Sequence, residues 1–160
     1  MSCPLCQVKE KQFQSLTLYE DEQVMAILHP YPAQKGHVLV FPKMHVQIIT
    51  LVPDEVLAKM YLVAQKLAAA VFDGLGAQGT NILLPNGELA GQTLPHFALH
   101  VLTRAENDGL KLDWEPKPAP QEELDATLAA IEGVRKQLEA AKNVIKGEEN
   151  YQIKNLRRVP

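Results

Sequence analysis

What this chain lacks narrows it first. None of its apolar runs approaches the ~20 residues that a bilayer-spanning helix needs, so no membrane partner is expected. Basic residues are not in excess. Lys and Arg total 16 against 19 Asp and Glu, a net charge of −3 that offers nucleic acid no electrostatic footprint. The first residues carry no basic-then-apolar signal pattern, so a cytoplasmic location is expected. Cysteine is scarce: Cys3 and Cys6 are the only two, which does not suggest a secreted disulfide scaffold. No internal repeat is evident. What remains is 160 residues, 46% hydrophobic and 22% charged, ordinary for one soluble globular domain with a proper core.

Leu16–Tyr19 and Val24–Leu28 read as short strands around the turn Glu20-Asp21-Glu22. His37–Phe41, bounded by Gly36 and Pro42, reads as a third strand, and Asn81–Leu84 and His96–Leu102 as two more. Pro53-Asp54-Glu55 opens a helix, with proline in the first turn and acids at its positive end. Val56, Met60, Val63, Leu67 and Val71 follow at helical spacing until Gly74 and Gly76. Glu115–Pro120 is a proline-rich linker, and Gln121–Asn143 a second long helix. Acids gather at that helix's start (Glu122, Glu123, Asp125) and lysines toward its end (Lys136, Lys142). Its apolar stripe is Leu124, Leu128, Ile131 and Leu138, which calls for cover by the domain or by another subunit. From Lys146 the chain is polar and is expected to form a mobile tail. The expected division is 1–110, 111–145 and 146–160.

The richest stretch is Gly91-Gln92-Thr93-Leu94-Pro95-His96-Phe97-Ala98-Leu99-His100-Val101-Leu102. Phe97, Leu99 and Val101 alternate with His96, Ala98 and His100, so the second set shares one face of a strand. Two histidines on one face of a buried-looking strand are costly unless they act. Between them stands a methyl group, at Ala98.

These residues resemble the signature of the histidine triad (HIT) superfamily of nucleotide hydrolases and transferases, Gly-Gln-x-x-x-His-φ-His-φ-His-φ-φ. The match holds everywhere except the middle histidine, which is Ala98. Gly36-His37-Val38-Leu39-Val40-Phe41-Pro42-Lys43-Met44-His45 resembles the family's second segment, and Cys3-Pro4-Leu5-Cys6 its N-terminal Cys-x-x-Cys. The resemblance spans residues 2–104. It implies an α+β, HIT-like fold: an antiparallel sheet of about five strands with a long helix, here with an extra C-terminal helix. It also implies a homodimer.

The chemistry implied is hydrolysis or transfer of a nucleotidyl group through a covalent nucleotidyl-histidine. Diadenosine tetraphosphate and adenosine phosphoramidates are the leading substrate classes, and a purine nucleotide or dinucleotide the expected ligand. The nucleophile's position is Ala98. His100 is expected to stabilise charge on the phosphate, and His37 to orient the cluster. Gln92, Thr93 and Asn86 fall in or beside the phosphate turn, Asn86 next to Pro85 where many members carry an amide. His29 stands where the family has the ribose-gripping Asp or Asn, and Ile27 and Leu28 are candidates for the base-facing wall. A methyl cannot form a phosphoramidate bond, so binding should survive better than turnover. Two accounts of Ala98 remain open, a deliberately inactivated variant, which the intact signature favours, and a natural non-catalytic nucleotide-binding module.

Cys3 and Cys6 can give two thiolates to one ion. By the resemblance, His45 and His96 complete a structural zinc site. The competing readings are a redox dithiol, which should follow a strand, and two inert cysteines.

Overall fold

The structure, a computed structural model, describes residues 3–141, with side chains to residue 135. Lys142, Asn143 and the tail from Lys146 lie outside the described residues, as do the side chains of Lys136 and Leu138. The sheet holds β1 (Thr17–Glu20), β2 (Val24–Leu28), β3 (Val38–Pro42), β4 (Gly79–Leu83) and β5 (Leu99–Arg104). Its order is β1-β2-β3-β5-β4, and every pair is antiparallel. The helices are α1 (Pro4–Lys9), α2 (Asp54–Leu75) and α3 (Gln121–Ala141). This is the expected α+β arrangement of five strands, a long helix and a further C-terminal helix.

One face of the sheet is packed by α2. Val56, Met60, Val63, Ala64 and Val71 meet Val24, Ala26, Val38, Val40, Phe97, Leu99 and Val101. The period-2 alternation therefore sends β5's apolar set to α2 and the other set to the opposite face. There Met25, Ile27, Leu39, Phe41 and Ala98 pack with Cys3 and Leu5 at α1. A one-residue slip would put histidines against α2 and cost ~1.5–3 kcal/mol for each large apolar side chain expelled, which fixes the register.

β5 starts at Leu99 rather than His96. Beyond Val40, which pairs with Leu99, β3 reaches Pro42, which has no N–H to extend the ladder. The Phe97 N–H turns instead to the Val46 carbonyl, 2.7 Å away. α2 ends at Gly76 in the left-handed conformation (φ 66°), while Gly74 lies inside the helix. Gly36 precedes β3 at φ 88°, and a Cβ there would run into the Leu75 and Thr103 side chains. α1 was not foreseen: Pro4 at its first turn sets a six-residue helix, too short to show a period.

The chain divides into two compact units, one ending at Lys111 and the other beginning at Leu112. In the second, the helix α3 leaves Leu124, Leu128, Ile131 and Val134 exposed. Among the described residues no helix is long and apolar enough to cross a membrane.

Candidate functional site

Two clusters of metal-capable side chains stand on the α1 face of the sheet, and hydrogen bonding tells them apart. The first is Cys3, Cys6, His45 and His96, whose donor atoms lie within 4.8 Å of one another. α1 brings both thiols to one spot, Cys3 as its cap and Cys6 in its first turn. Cys3 Sγ is 3.4 Å and Cys6 Sγ 3.7 Å from His96 Nδ1, and Cys6 Sγ is 3.3 Å from His45 Nδ1. Tetrahedral zinc, with bonds of ~2.3 Å to sulfur and ~2.0–2.1 Å to nitrogen, sets adjacent S and N roughly 3.5 Å apart. His96 Nε2 donates to the Pro42 carbonyl at 2.9 Å. Its proton is thereby held on the far nitrogen, and the Nδ1 lone pair faces the thiols, the outer-shell arrangement a metal-bound imidazole needs. Two sulfurs and two imidazoles with this support fit a structural zinc ion.

The second cluster is His29, His37 and His100, again with ring nitrogens within 4.8 Å. His29 and His37 stack with centroids 4.3 Å apart, and His100 lies 5.2 Å from His37. Two backbone groups settle the protons. Tyr31 N–H donates to His29 Nδ1 at 2.9 Å, and Ala33 N–H to His37 Nδ1 at 3.2 Å. A neutral imidazole has one N–H, so both rings carry it on Nε2. His37 Nε2–H then donates to His100 Nδ1 at 3.0 Å, which leaves the His100 proton on Nε2. A metal here would require two imidazoles to give up Nε2 protons while Nδ1 already accepts a hydrogen bond. The trio is a set of N–H donors, and it does not fit a divalent metal.

The rings are neutral at pH 7. Burial, then the neighbouring His29 and His100, push His37 down to about 3. Burial, then His29, push His100 down to about 4. Burial lowers His29 as well.

His100 and Ala98 line a small cleft with Pro85, Thr93 and Leu94. Across Gln92–Leu94 it adjoins a larger hollow of about 360 Å³ that Gln47 and Glu88 also line. Gln92 braces this loop: Nε2 donates to the Gln47 and Leu94 carbonyls at 2.8 and 2.9 Å, and Oε1 accepts Gly87 N–H at 2.8 Å. Asn86 Oδ1 accepts Ile49 N–H at 3.0 Å. Ile27 is buried on the site's face beside Leu39 and Ala98, and Leu28 turns to the α2 side. Sequence reasoning missed the backbone groups that set the tautomers, at Tyr31, Ala33 and Pro42. No residue-type signal could have shown them.

A sequence model described as the HIT domain matches residues 10–107. The chain is similar to a HIT family protein from Bacillus anthracis, 35% identical with a TM-score of 0.77, over 83% of this chain and 96% of that one. It is similar to a Zn-bound histidine triad family protein from Mycobacterium smegmatis, at 36% identity and a TM-score of 0.64, over 89% and 99% of the two chains. Adenosine 5'-monophosphoramidase of Schizosaccharomyces pombe is 30% identical over 127 residues, 79% of this chain and 92% of that protein.

Proposed function

The chain belongs to the HIT domain family, and we propose that within it this protein binds a purine nucleotide but has lost most of the covalent chemistry its site is built for. The observation that carries the reading is the His100 Nε2–H, fixed by His37 and placed beside the methyl of Ala98. A phosphate seated in that cleft meets a donor where negative charge develops, and Thr93 lines the same cleft. Gln92 serves by holding the loop, a positioning role. The adjoining hollow leaves room for a leaving group. The S. pombe relative is named as an adenosine 5'-monophosphoramidase, which supports adenosine phosphoramidates as a substrate class; diadenosine tetraphosphate is the second class the proposal carries.

With an imidazole at 98, its nitrogen attacks the α-phosphorus and forms an N–P bond. The bond from phosphorus to the leaving group breaks, and the departing atom keeps the electron pair and takes a proton. Water then attacks the same phosphorus, the N–P bond breaks, and the imidazole is restored. The methyl of Ala98 can begin none of this.

Zinc in this reading is held by Cys3, Cys6, His45 and His96 and acts structurally, tying α1 to the segment that leads into β5. Reduced cytoplasm suits it, because free thiols persist there. A homodimer belongs to the same proposal. It is supported by β4, at one end of the sheet order, and by the exposed Leu62, Phe72 and Leu75 of α2.

The test compares this chain with Ala98→His on an adenosine phosphoramidate and on diadenosine tetraphosphate. The expected gain is at least about a thousand-fold, near 4 kcal/mol of barrier. AMP should bind both proteins in calorimetry. Equal rates would show that position 98 is not the nucleophile's place.

A further inference from the structure

We propose that His29 forms a second oxyanion subsite, so that the preferred ligand is a purine nucleoside bisphosphate, carrying a phosphoryl group on the ribose as well as at the 5' position. The proposal rests on the nucleotide reading above and names the ligand class of that site.

His29 offers a ligand one polar atom. Tyr31 N–H occupies Nδ1, which leaves Nε2–H as the donor. His29 is only partly buried and stacks on His37. His100, with its own Nε2–H, has its ring centre 6.0 Å away. Among the described residues, no carboxylate is ion-paired or hydrogen-bonded to His29, His37 or His100. The imidazoles thus offer donors that no carboxylate engages. Such a surface selects a ligand that only accepts. A sugar diol gives and takes hydrogen bonds and gains little from an N–H alone. A phosphoryl dianion gains a charge-assisted bond, roughly twice as strong as a neutral one.

The placement follows from the sheet. Ile27 pairs with Leu39 on β3, and Leu39 with His100 on β5, a row that crosses the floor of the site. His29 lies two residues beyond Ile27 on the same face. With its 5'-phosphate at His100 and Ala98, a nucleoside has its ribose within reach of His29, whose ring centre is 6.0 Å from that of His100. The rings also suppress one another's protonation. A dianion at His29 opposes that suppression and lets the stack accept a proton as the ligand binds.

The experiment is calorimetry on the full chain with AMP, adenosine 2',5'-bisphosphate and adenosine 3',5'-bisphosphate. One bisphosphate should bind at least about tenfold more tightly than AMP, and the other arm identifies the ribose position. In His29→Ala the bisphosphate-to-AMP ratio should fall to near one, and in His29→Asp below one, with circular dichroism confirming that both variants are folded. AMP binding with no advantage for either bisphosphate overturns the subsite and leaves the nucleotide reading standing. A ratio unchanged by His29→Ala also overturns it. If none of the three ligands binds, the nucleotide reading fails and the subsite with it.

Discussion

Three imidazoles on one face have their protons assigned by two backbone N–H groups, and that assignment gives His100 its role. Because His37 donates to Nδ1, His100 keeps its proton on Nε2, and in the proposed reading it serves as a donor to phosphate rather than as a base. His100→Ala should therefore weaken AMP by ~1–3 kcal/mol, the typical cost of removing a partner from a charged group. Adenosine, with no phosphate, should barely register the change. Calorimetry on both ligands decides: equal weakening would mean that His100 supports the fold or the base instead. Asp21 is a second residue whose charge is fixed by geometry. Burial alone would raise its pKa. Lys59 Nζ at 2.7 Å, the Tyr19 hydroxyl at 2.6 Å and the Val24 and Gln23 N–H groups outweigh burial, and the carboxyl stays well below its usual range. A depressed carboxylate stabilises the fold above its unfolded pKa of ~3.9, and that contribution is lost as pH falls below it. Asp21→Asn should cost about 1–3 kcal/mol at pH 7, with the difference from the parent shrinking below pH ~4. Urea titrations at pH 7 and pH 3 would show it, and a pH-independent difference would locate the effect in turn geometry alone.

At the scale of elements, what the sequence made legible was periodic. The alternation Phe97, Leu99, Val101 against His96, Ala98, His100 was readable because two faces of one sheet demand opposite chemistry. The stripe Val56, Met60, Val63, Leu67 and Val71 was readable because these residues pack α2 onto the sheet. The start of β5 was not, because it depends on Pro42, a residue of the partner strand. The trio was only partly legible. His37 and His100 carried a motif, whereas the stacking of His29 on His37 depends on how the 29–37 loop folds back. α1 escaped notice as a helix although its cysteines were read as ligands. Six residues cannot sustain a helix in water, so α1 depends on what anchors it: the buried Leu5 and, in the proposed zinc site, Cys3 and Cys6. Cys3→Ala should thus abolish stoichiometric zinc and cost about 2–4 kcal/mol, since metal binding energy is folding energy. Elemental analysis and thermal melts of zinc-supplemented protein check this, with a fall in melting temperature of roughly 10 °C expected. A variant that kept one zinc per chain would remove Cys3 from the ligand set.

For the whole molecule, the question is what the chain beyond Lys111 contributes to the fold that carries the site. Every buried hydrophobic among the described residues, from Cys3 to Leu102, belongs to the first unit, as do the buried His37, His96 and Thr103. Both histidine clusters and the loop at 85–95 lie there too. The unit closes on itself at its end: Arg104 bonds Asp108 at 2.6 and 3.1 Å and reaches the Leu110 carbonyl at 2.6 Å, while Gln34 donates to the Asp108 carbonyl at 2.5 Å. None of the described residues of α3 belongs to that buried core; Leu124, Leu128, Ile131 and Val134 are exposed. Area removed from water is the dominant stabilising quantity, at ~25 cal/mol per Å². A chain ending after Lys111 should then unfold cooperatively, within about 5 °C of the full-length protein, a shift of no more than ~1–2 kcal/mol. It should bind AMP with an unchanged dissociation constant and keep one zinc. A loss of more than about 10 °C, or of AMP binding, would mean that α3 covers apolar surface of the first unit in solution.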